Sequence, residues 1–236
     1  AAQSRGYRLT GNAARVPWAS QADELIVFAR DGAGQAFIAR VAPPEGQRRR
    51  NLAFEPRDDL RFDVSIAADA VRAAPPRLHD DGFLALGALM RAQQLVGAME
   101  RCMDYAVSYA MERQQFGRPI AKFQAIQHML AEAAGHYAAA TAAADLALDA
   151  WDGEDFAFNV GIAKARVGEA AGKVAEITHQ VHGAMGFTQE HPLHFSTRRL
   201  WSWREEFGSE SYWQDRIGRA VCATGGDGLW PRLVGG

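Results

Sequence analysis

Two arginines, Arg113 and Arg118, flank a short connection between helix-like stretches, and both could bind an anion. The connection reads Arg-Gln-Gln-Phe-Gly-Arg-Pro and ends at Pro119. A guanidinium can hold a phosphate through two N–H bonds, and a helix start adds free backbone N–H groups. Phe116 offers a flat apolar surface for an aromatic ring, and Gln124 offers an amide one turn further on. This combination suits a nucleotide-bearing cofactor; an ordinary interhelix loop is the alternative interpretation.

Two histidine pairs have a spacing that metal ligands can use. His179 and His182 are three residues apart, and so are His191 and His194. No set of cysteines or carboxylates completes a closed zinc site with them, so capping or surface histidines are the preferred interpretation and no metal is predicted. The sequence also has no G-x-G-x-x-G after a strand, no P-loop and no G-x-S-x-G elbow.

The composition is that of a globular protein without a preference for nucleic acid or membranes. The 236 residues are 48% hydrophobic and 23% charged, with a net charge of −2. This charge gives no general attraction to nucleic acid or to anionic lipid, and no apolar run approaches a membrane span. Cys102 and Cys222 are isolated from each other, which is typical of a reducing compartment. We therefore expect a cytoplasmic protein.

Residues 1–76 have the pattern of β-strands. The stretches Glu24–Arg30 and Gln35–Ala42 flank Asp31-Gly32-Ala33-Gly34, a hairpin signal. The stretches GYRLTG and LRFDVSI are read as further strands. This pattern predicts a partial antiparallel β domain, which ends near Pro75 and Pro76.

After Pro76 the hydrophobic period becomes helical. The apolar residues of the first helix recur every three or four positions. The predicted helices are 83–113, 119–150, 155–182 and one from Ser196 past Arg219. Long helices with short connections pack as antiparallel neighbours, so residues 77–236 are predicted to form an up-down four-helix bundle. The predicted fold class is α+β, predominantly α.

Two segments of the chain resemble the acyl-CoA dehydrogenase family. YAMERQQFGRPIAKFQAIQ, from Tyr109 to Gln127, is similar to the family's Arg-x-x-Phe-Gly-x-x-Ile-x-x-Phe-Gln segment. QVHGAMGFTQEHPLHFSTRRL, from Gln180 to Leu200, is similar to its Gln-x-x-Gly-Gly-x-Gly segment and the arginine that follows. The strand-like GYRLTGNAARVPWASQADELIVFAR resembles the middle-domain strands that face the flavin. The resemblance covers residues 6–222 and implies FAD-dependent oxidation of an acyl-CoA thioester to the 2,3-enoyl-CoA.

The same resemblance implies that five residues hold FAD. Arg113 would contact the pyrophosphate, Phe116 would pack near the adenine end, and Gln124 would lie close to the adenosine. Gln180 and Gly183 would touch the FAD of a neighbouring subunit. The connection that begins at Arg113 would then be one half of an FAD site, and another chain would complete it. The implied partners are an acyl-CoA substrate, further subunits in a homo- or hetero-oligomer (a tetramer or dimer) and an electron-transfer flavoprotein.

Several positions depart from the family pattern. Family members begin with a helical domain and the first half of the β domain, which have no counterpart in this sequence. Arg15 and Pro17 stand where the family has Trp and Thr beside the flavin. The family's catalytic base is a glutamate that precedes Gly-Thr/Ser on the last bundle helix, or a residue on the first bundle helix. Counted without gaps from Arg199, the first position falls on Gly208 and the second on about Gly87.

Glu206 is therefore the best single candidate for a base. The reaction needs a carboxylate to remove the acidic α-proton. Glu206 could serve if the helix holds a one-residue irregularity, because one residue rotates a side chain by about 100°. Other carboxylates near the two positions are Asp80, Asp81 and Glu205.

Three interpretations of the function stay open. The first is an active acyl-CoA dehydrogenase-like flavoprotein, and the second is a catalytically silent partner subunit of a hetero-oligomeric acyl-CoA dehydrogenase. The third is a flavin-free binding or assembly protein. The acidic net charge disfavours a DNA-associated member of the family.

Overall fold

The computed structural model of the chain describes residues 6–79 and 81–234. Asp80, one of the alternative carboxylates, lies outside the described residues. The chain divides into two compact units, Ala1–Phe83 and Leu84–Gly236.

The first unit contains two three-stranded antiparallel sheets, as the alternating pattern predicts. Their strands are β1 (Tyr7–Pro17), β2 (Leu25–Arg30), β3 (Ala36–Val41), β4 (Gly46–Gln47), β5 (Arg57–Ile66) and β6 (Val71–Ala73). The strand orders are β1-β5-β4 and β2-β3-β6. The predicted hairpin joins β2 to β3, and the Asp31 side chain accepts the N–H groups of Ala33 and Gln35 there. Residues of both sheets form one apolar core, which includes Ala39, Val41, Leu60 and Phe62.

The end of β1 is distorted where the sequence departs from the family pattern. The register of β1 on β5 shifts between Ala13 and Val16, which marks a β-bulge. Arg15 lies in this bulge with φ 57°, and its N–H donates to a carboxylate oxygen of Asp59 at 2.8 Å. Pro17 is the last residue of the strand and has no N–H to donate.

The second unit is a helical bundle. Its first three long helices are α1 (Gly82–Glu112), α2 (Gln124–Asp149) and α3 (Phe156–His182), in agreement with the predicted helices. Alanines line the buried faces and allow close packing; fully buried examples are Ala92, Ala106, Ala140, Ala144, Ala170 and Ala171. None of the helices in residues 6–79 and 81–234 is both long and apolar enough to cross a membrane.

The fourth predicted helix is broken in two. The structure has α4 (Leu193–Trp203), a turn at 204–209 and α5 (Glu210–Thr224), where the sequence predicts one continuous helix. Phe207 and Gly208 have φ values of 55° and 93°, which a right-handed helix cannot contain. The Ser209 hydroxyl then caps α5 by accepting the N–H of Tyr212. The prediction was wrong here because a lone glycine inside a helix costs only about 1 kcal/mol and is a weak stop signal.

A further helix, α6 (Gly226–Val234), forms in the glycine-rich tail. It follows α5 after Gly225, whose φ is 73°. The four predicted helices therefore correspond to α1–α5, and α6 is an additional short helix after α5.

A buried lysine stabilises the break between α4 and α5. Lys164 of α3 is fully buried, and its Nζ donates to the carbonyl oxygens of Arg204 at 2.6 Å and Gly208 at 2.8 Å. The ammonium thus caps a carbonyl that the end of α4 leaves without a helical partner. Burial lowers the pKa of Lys164 to about 8, although the carboxylates of Glu210, Glu205 and Glu206 act in the opposite direction.

We expect Lys164 to add up to about 3 kcal/mol to the free energy of unfolding as the pH rises from its folded pKa of about 8 to the ordinary value of 10.5. In this interval the unfolded chain still holds the proton that the folded protein has released, and stability rises where the unfolded state binds more protons. Urea unfolding of the wild type and Lys164→Met across this interval measures the difference. Parallel pH dependences of the two proteins would contradict the assignment.

Candidate functional site

The connection between α1 and α2 is a miniature hairpin. Its strands are β7 (Gln114–Gln115) and β8 (Arg118–Pro119), and its two-residue loop is Phe116-Gly117. The loop φ values are 52° and 77°, both positive as a type I′ turn requires. For Phe116 this conformation costs about 1–2 kcal/mol, and the ring is 92% exposed. A strained residue that presents a large ring to solvent points to a functional contact.

Arg113 is fixed through its backbone, while its side chain is available to a ligand. Its N–H donates to the carbonyl oxygen of Tyr109 at 2.8 Å, and its own carbonyl accepts the N–H of Ile120 at 2.8 Å. Within the described residues, the exposed guanidinium has no hydrogen-bond or carboxylate partner. Arg118 differs, because its guanidinium lies over the Phe123 ring at 4.3 Å.

The second predicted segment lies at the end of α3. Gln180 is exposed, and Gly183 ends the helix with φ 57° and ψ −137°, a conformation that favours glycine. A short 3₁₀ helix, Gly183–Phe187, follows. A Cβ atom at Gly183 would have no heavy atom within 4 Å, so the space beside this backbone is open.

The structure brings the two predicted segments to the same end of the bundle. The rings of Tyr109 and His182 stack with centroids 4.6 Å apart. Tyr109 lies four residues before Arg113, and His182 adjoins Gly183. The five residues predicted to hold a cofactor are all exposed at this end: Arg113, Phe116, Gln124, Gln180 and Gly183.

The four histidines of the sequence pairs also lie near this end. His179 donates to or accepts from the Thr197 hydroxyl at 2.9 Å, and its ring stacks on Phe187 and Trp201. Burial lowers the pKa values of His179, His182 and His191, so these imidazoles are neutral. Among the described residues, no group of three or more potential ligands has an arrangement that could hold a metal ion.

Glu206, the candidate base, lies in the turn between α4 and α5 and is ion-paired with Arg91 of α1. Both Nε and Nη2 of Arg91 donate to Oε2 of Glu206, at 2.7 and 2.5 Å. Arg91 is buried, and its guanidinium also lies over the Trp203 ring at 5.0 Å. The structure therefore places this carboxylate in an ion pair that joins α1 to the turn after α4, and proton abstraction by Glu206 would have to break this pair.

Phe207 directly precedes a Gly-Ser pair, Gly208-Ser209, just before α5. The glutamate that the resemblance implies also precedes a Gly-Thr/Ser pair, so this dipeptide gives Phe207 as an alternative position for the base, besides the Gly208 that the gapless count gives. Neither residue is a carboxylate.

Phe207 and Gly87 of α1 are in contact with each other. A Cβ atom on Gly87 would collide with Cδ1 and Cε1 of the Phe207 ring. The ring packs against a buried apolar cluster that includes Ala85, Ala88 and Trp213. The Trp213 indole N–H also donates to the Phe207 carbonyl oxygen at 2.9 Å. Phe207 and Gly87 therefore form an apolar contact, to which neither residue contributes a carboxylate.

Comparison with known sequences places the helical part of the chain in a protein family. Residues 81–222 match the family profile described as "Acyl-CoA dehydrogenase, C-terminal domain". Acyl-CoA dehydrogenase IpdE2 of Mycobacterium tuberculosis is 32% identical over 161 residues, which cover 67% of this chain and 49% of that protein. The 3-sulfinopropanoyl-CoA desulfinase of Paraburkholderia xenovorans is 34% identical over 150 residues, which cover 58% and 37%. The chain thus matches half or less of the length of these relatives.

Solved structures with the same fold include the ChsE4-ChsE5 complex from Mycobacterium tuberculosis and a glutaryl-coenzyme A dehydrogenase in complex with glutaryl-CoA. The first has a TM-score of 0.84 at 25% identity and covers 94% of this chain and 61% of that chain. The second has a TM-score of 0.79 at 28% identity and covers 90% and 58%. These matches confirm the predicted α+β fold.

We expect Gly87→Ala to destabilise the protein by about 1–3 kcal/mol, because the added methyl group would force the Phe207 ring out of its packed position. Gly97→Ala is the matched control on α1, since a Cβ atom there meets nothing within 4 Å. In a Phe207→Ala background the cost of Gly87→Ala should largely disappear. Equal unfolding free energies for Gly87→Ala and Gly97→Ala would show that the ring does not lie on Gly87.

Proposed function

Because this chain belongs to the acyl-CoA dehydrogenase family, we propose that it is a non-catalytic subunit of an acyl-CoA dehydrogenase and supplies part of an FAD site to a catalytic partner. The observation that carries the proposal is the Phe207 ring packed on Gly87. Neither residue can accept a proton, and a positioned base typically contributes about 10²–10⁴-fold to a rate.

The exposed end of the bundle fits the charged and aromatic parts of FAD. The guanidinium of Arg113, which is unpaired within the described residues, suits a pyrophosphate, and the start of α2 beside Gln124 adds N–H groups and a favourable dipole. Phe116 offers a ring face to the adenine, and the open backbone at Gly183 permits close approach. The acyl-CoA dehydrogenases are FAD-dependent flavoproteins.

A division of labour follows from these features. The chemistry that FAD supplies when bound is acceptance of the hydride from the acyl β-carbon. This chain binds and orients the pyrophosphate and adenine ends, and the partner contributes the base and the acyl-CoA site. The ChsE4-ChsE5 structure is a complex of two different proteins, which supports a hetero-oligomer as the form of the assembly. An electron-transfer flavoprotein as redox partner and a cytoplasmic location belong to the same proposal.

Flavin reduction tests this function. The full-length gene product is mixed anaerobically with FAD and a panel of acyl-CoA thioesters, alone and after co-expression with its genomic neighbour. We expect no bleaching of the flavin by the chain alone, and bleaching in the co-expressed assembly. Glu206→Gln should leave that bleaching intact and lower stability by about 1–3 kcal/mol, because Arg91 loses its carboxylate. Rapid bleaching by the chain alone that Glu206→Gln abolishes would overturn the proposal and make Glu206 the base.

We expect Arg113→Ala to weaken FAD binding by about 10- to 100-fold, because a charge-assisted bond to the pyrophosphate contributes about 1.5–3 kcal/mol. Lys122→Ala is the control, since it removes an exposed cation from the same connection. The FAD content of the purified variants, measured by absorbance, gives the comparison. Equal losses in both variants would indicate general electrostatic attraction, and unchanged content would remove Arg113 from the site.

A further inference from the structure

Three aromatic rings in mutual contact, called the stack below, join the two segments that carry the proposed FAD contacts; the interplanar angle is 25° for Tyr109 and His182 and 60° for His182 and His191. Tyr109 belongs to α1, close to the hairpin. His182 is the last residue of α3, and its ring lies 4.6 Å from Tyr109 and 4.5 Å from His191, measured between centroids. His191 lies just before α4, and its ring is edge-on to Tyr109 at 6.2 Å.

Hydrogen bonds fix the two histidine rings to the backbone of their own segments. His182 Nδ1 donates to the carbonyl oxygen of Thr178 at 2.7 Å, so this nitrogen bears a proton. His191 Nδ1 accepts the N–H of Leu193 at 3.2 Å, so its proton is on Nε2. The Nε2 atom of His182 is buried and has no hydrogen-bond partner among residues 6–79 and 81–234. In this arrangement the stack is made of neutral rings.

We propose that the stack of Tyr109, His182 and His191 is a positioning element that holds the hairpin of Arg113 beside the segment of Gln180 and Gly183, and that it makes FAD binding depend on pH. This inference rests on the proposed FAD function. His182 does not touch the cofactor in this account; it acts by fixing the relative position of two segments that do.

The surroundings of His182 explain why a proton would disrupt the stack. The groups that face it are Tyr105 and Tyr109 of α1, His179 of α3 and His191 before α4, and His194 faces His191 in turn. None of the groups that shift the pKa values of His179, His182 and His191 is a carboxylate. In the part of the chain that the structure describes, a charged His182 would therefore be buried beside other imidazoles without a carboxylate partner, which is costly.

The direction of the pH dependence follows from the lowered pKa values. Burial is the largest cause of the lowered pKa of His182, and His191 and His179 lower this pKa further from the ordinary value of 6.5, whereas the backbone groups of Thr178 and Tyr105 act in the opposite direction without reversing the shift. An opened state in which the rings reach water takes up protons as the pH falls below 6.5, whereas the stacked state does not. The stacked state is therefore favoured above this pH and loses its advantage below it. FAD affinity should weaken in the same direction.

The test compares His182→Ala, His182→Phe and the control His128→Ala, which removes an exposed histidine from α2. The protein is the full-length gene product, and the probe is FAD, followed by flavin fluorescence as a function of pH. A second measurement, amide hydrogen exchange of residues 113–119 and 180–186 without FAD, reports on the stack alone.

We expect His182→Ala to weaken FAD binding about tenfold and to speed exchange in both segments, because a stacked pair and a hydrogen bond are lost. His182→Phe keeps a ring and should restore most of the affinity above pH 6.5 with a flatter pH profile. Unchanged exchange in His182→Ala, or a wild-type pH profile in His182→Phe, would overturn the inference. Absence of FAD binding by the wild type would contradict the proposed function instead, while exchange would still decide whether the stack couples the segments.

Discussion

The contact between Phe207 and Gly87 depends on a turn in which two successive residues have positive φ. This turn ends α4 and re-aims the chain, so that the ring of Phe207 reaches the backbone of α1 instead of following a helix surface. Lys164 makes the turn possible, because its buried ammonium satisfies the carbonyl oxygens of Arg204 and Gly208. The lysine, the turn and the ring therefore form one structural unit, in which Phe207 packs against a buried apolar cluster.

The other end of the bundle has the opposite character. There, among the residues that the structure describes, the Arg113 guanidinium has no hydrogen-bond or carboxylate partner, the Phe116 ring is almost fully exposed in a strained loop, and the backbone at Gly183 is open. The loop conformation of Phe116 is unfavourable in an isolated chain, and all three features suit an anionic, aromatic ligand. The apolar contact at Phe207 and the exposed residues around Arg113 together support the proposed non-catalytic subunit.

Much of the fold could be predicted from the sequence, because it depends on local patterns. Alternation of apolar and polar residues predicts the strands of the first unit, and a 3.6-residue hydrophobic period predicts the three long helices. The residue types from Arg113 to Pro119 identify the connection between α1 and α2. The break before α5 could not be predicted, since a single Gly208 is a weak signal and its cause, Lys164, lies far away in the sequence. The stacking of Tyr109 on His182 is likewise a contact between distant helices, for which neither residue type carries a signal.

The most direct measurement is a crystal structure of the full-length protein in its assembly, with FAD and a non-reducible acyl-CoA analogue bound. The account predicts that the Phe207 ring covers Gly87 in this chain and that the analogue occupies only the partner's acyl site. An acyl chain lying over Gly87, with the Phe207 ring displaced and Glu206 released from Arg91 toward the α-carbon, would contradict it.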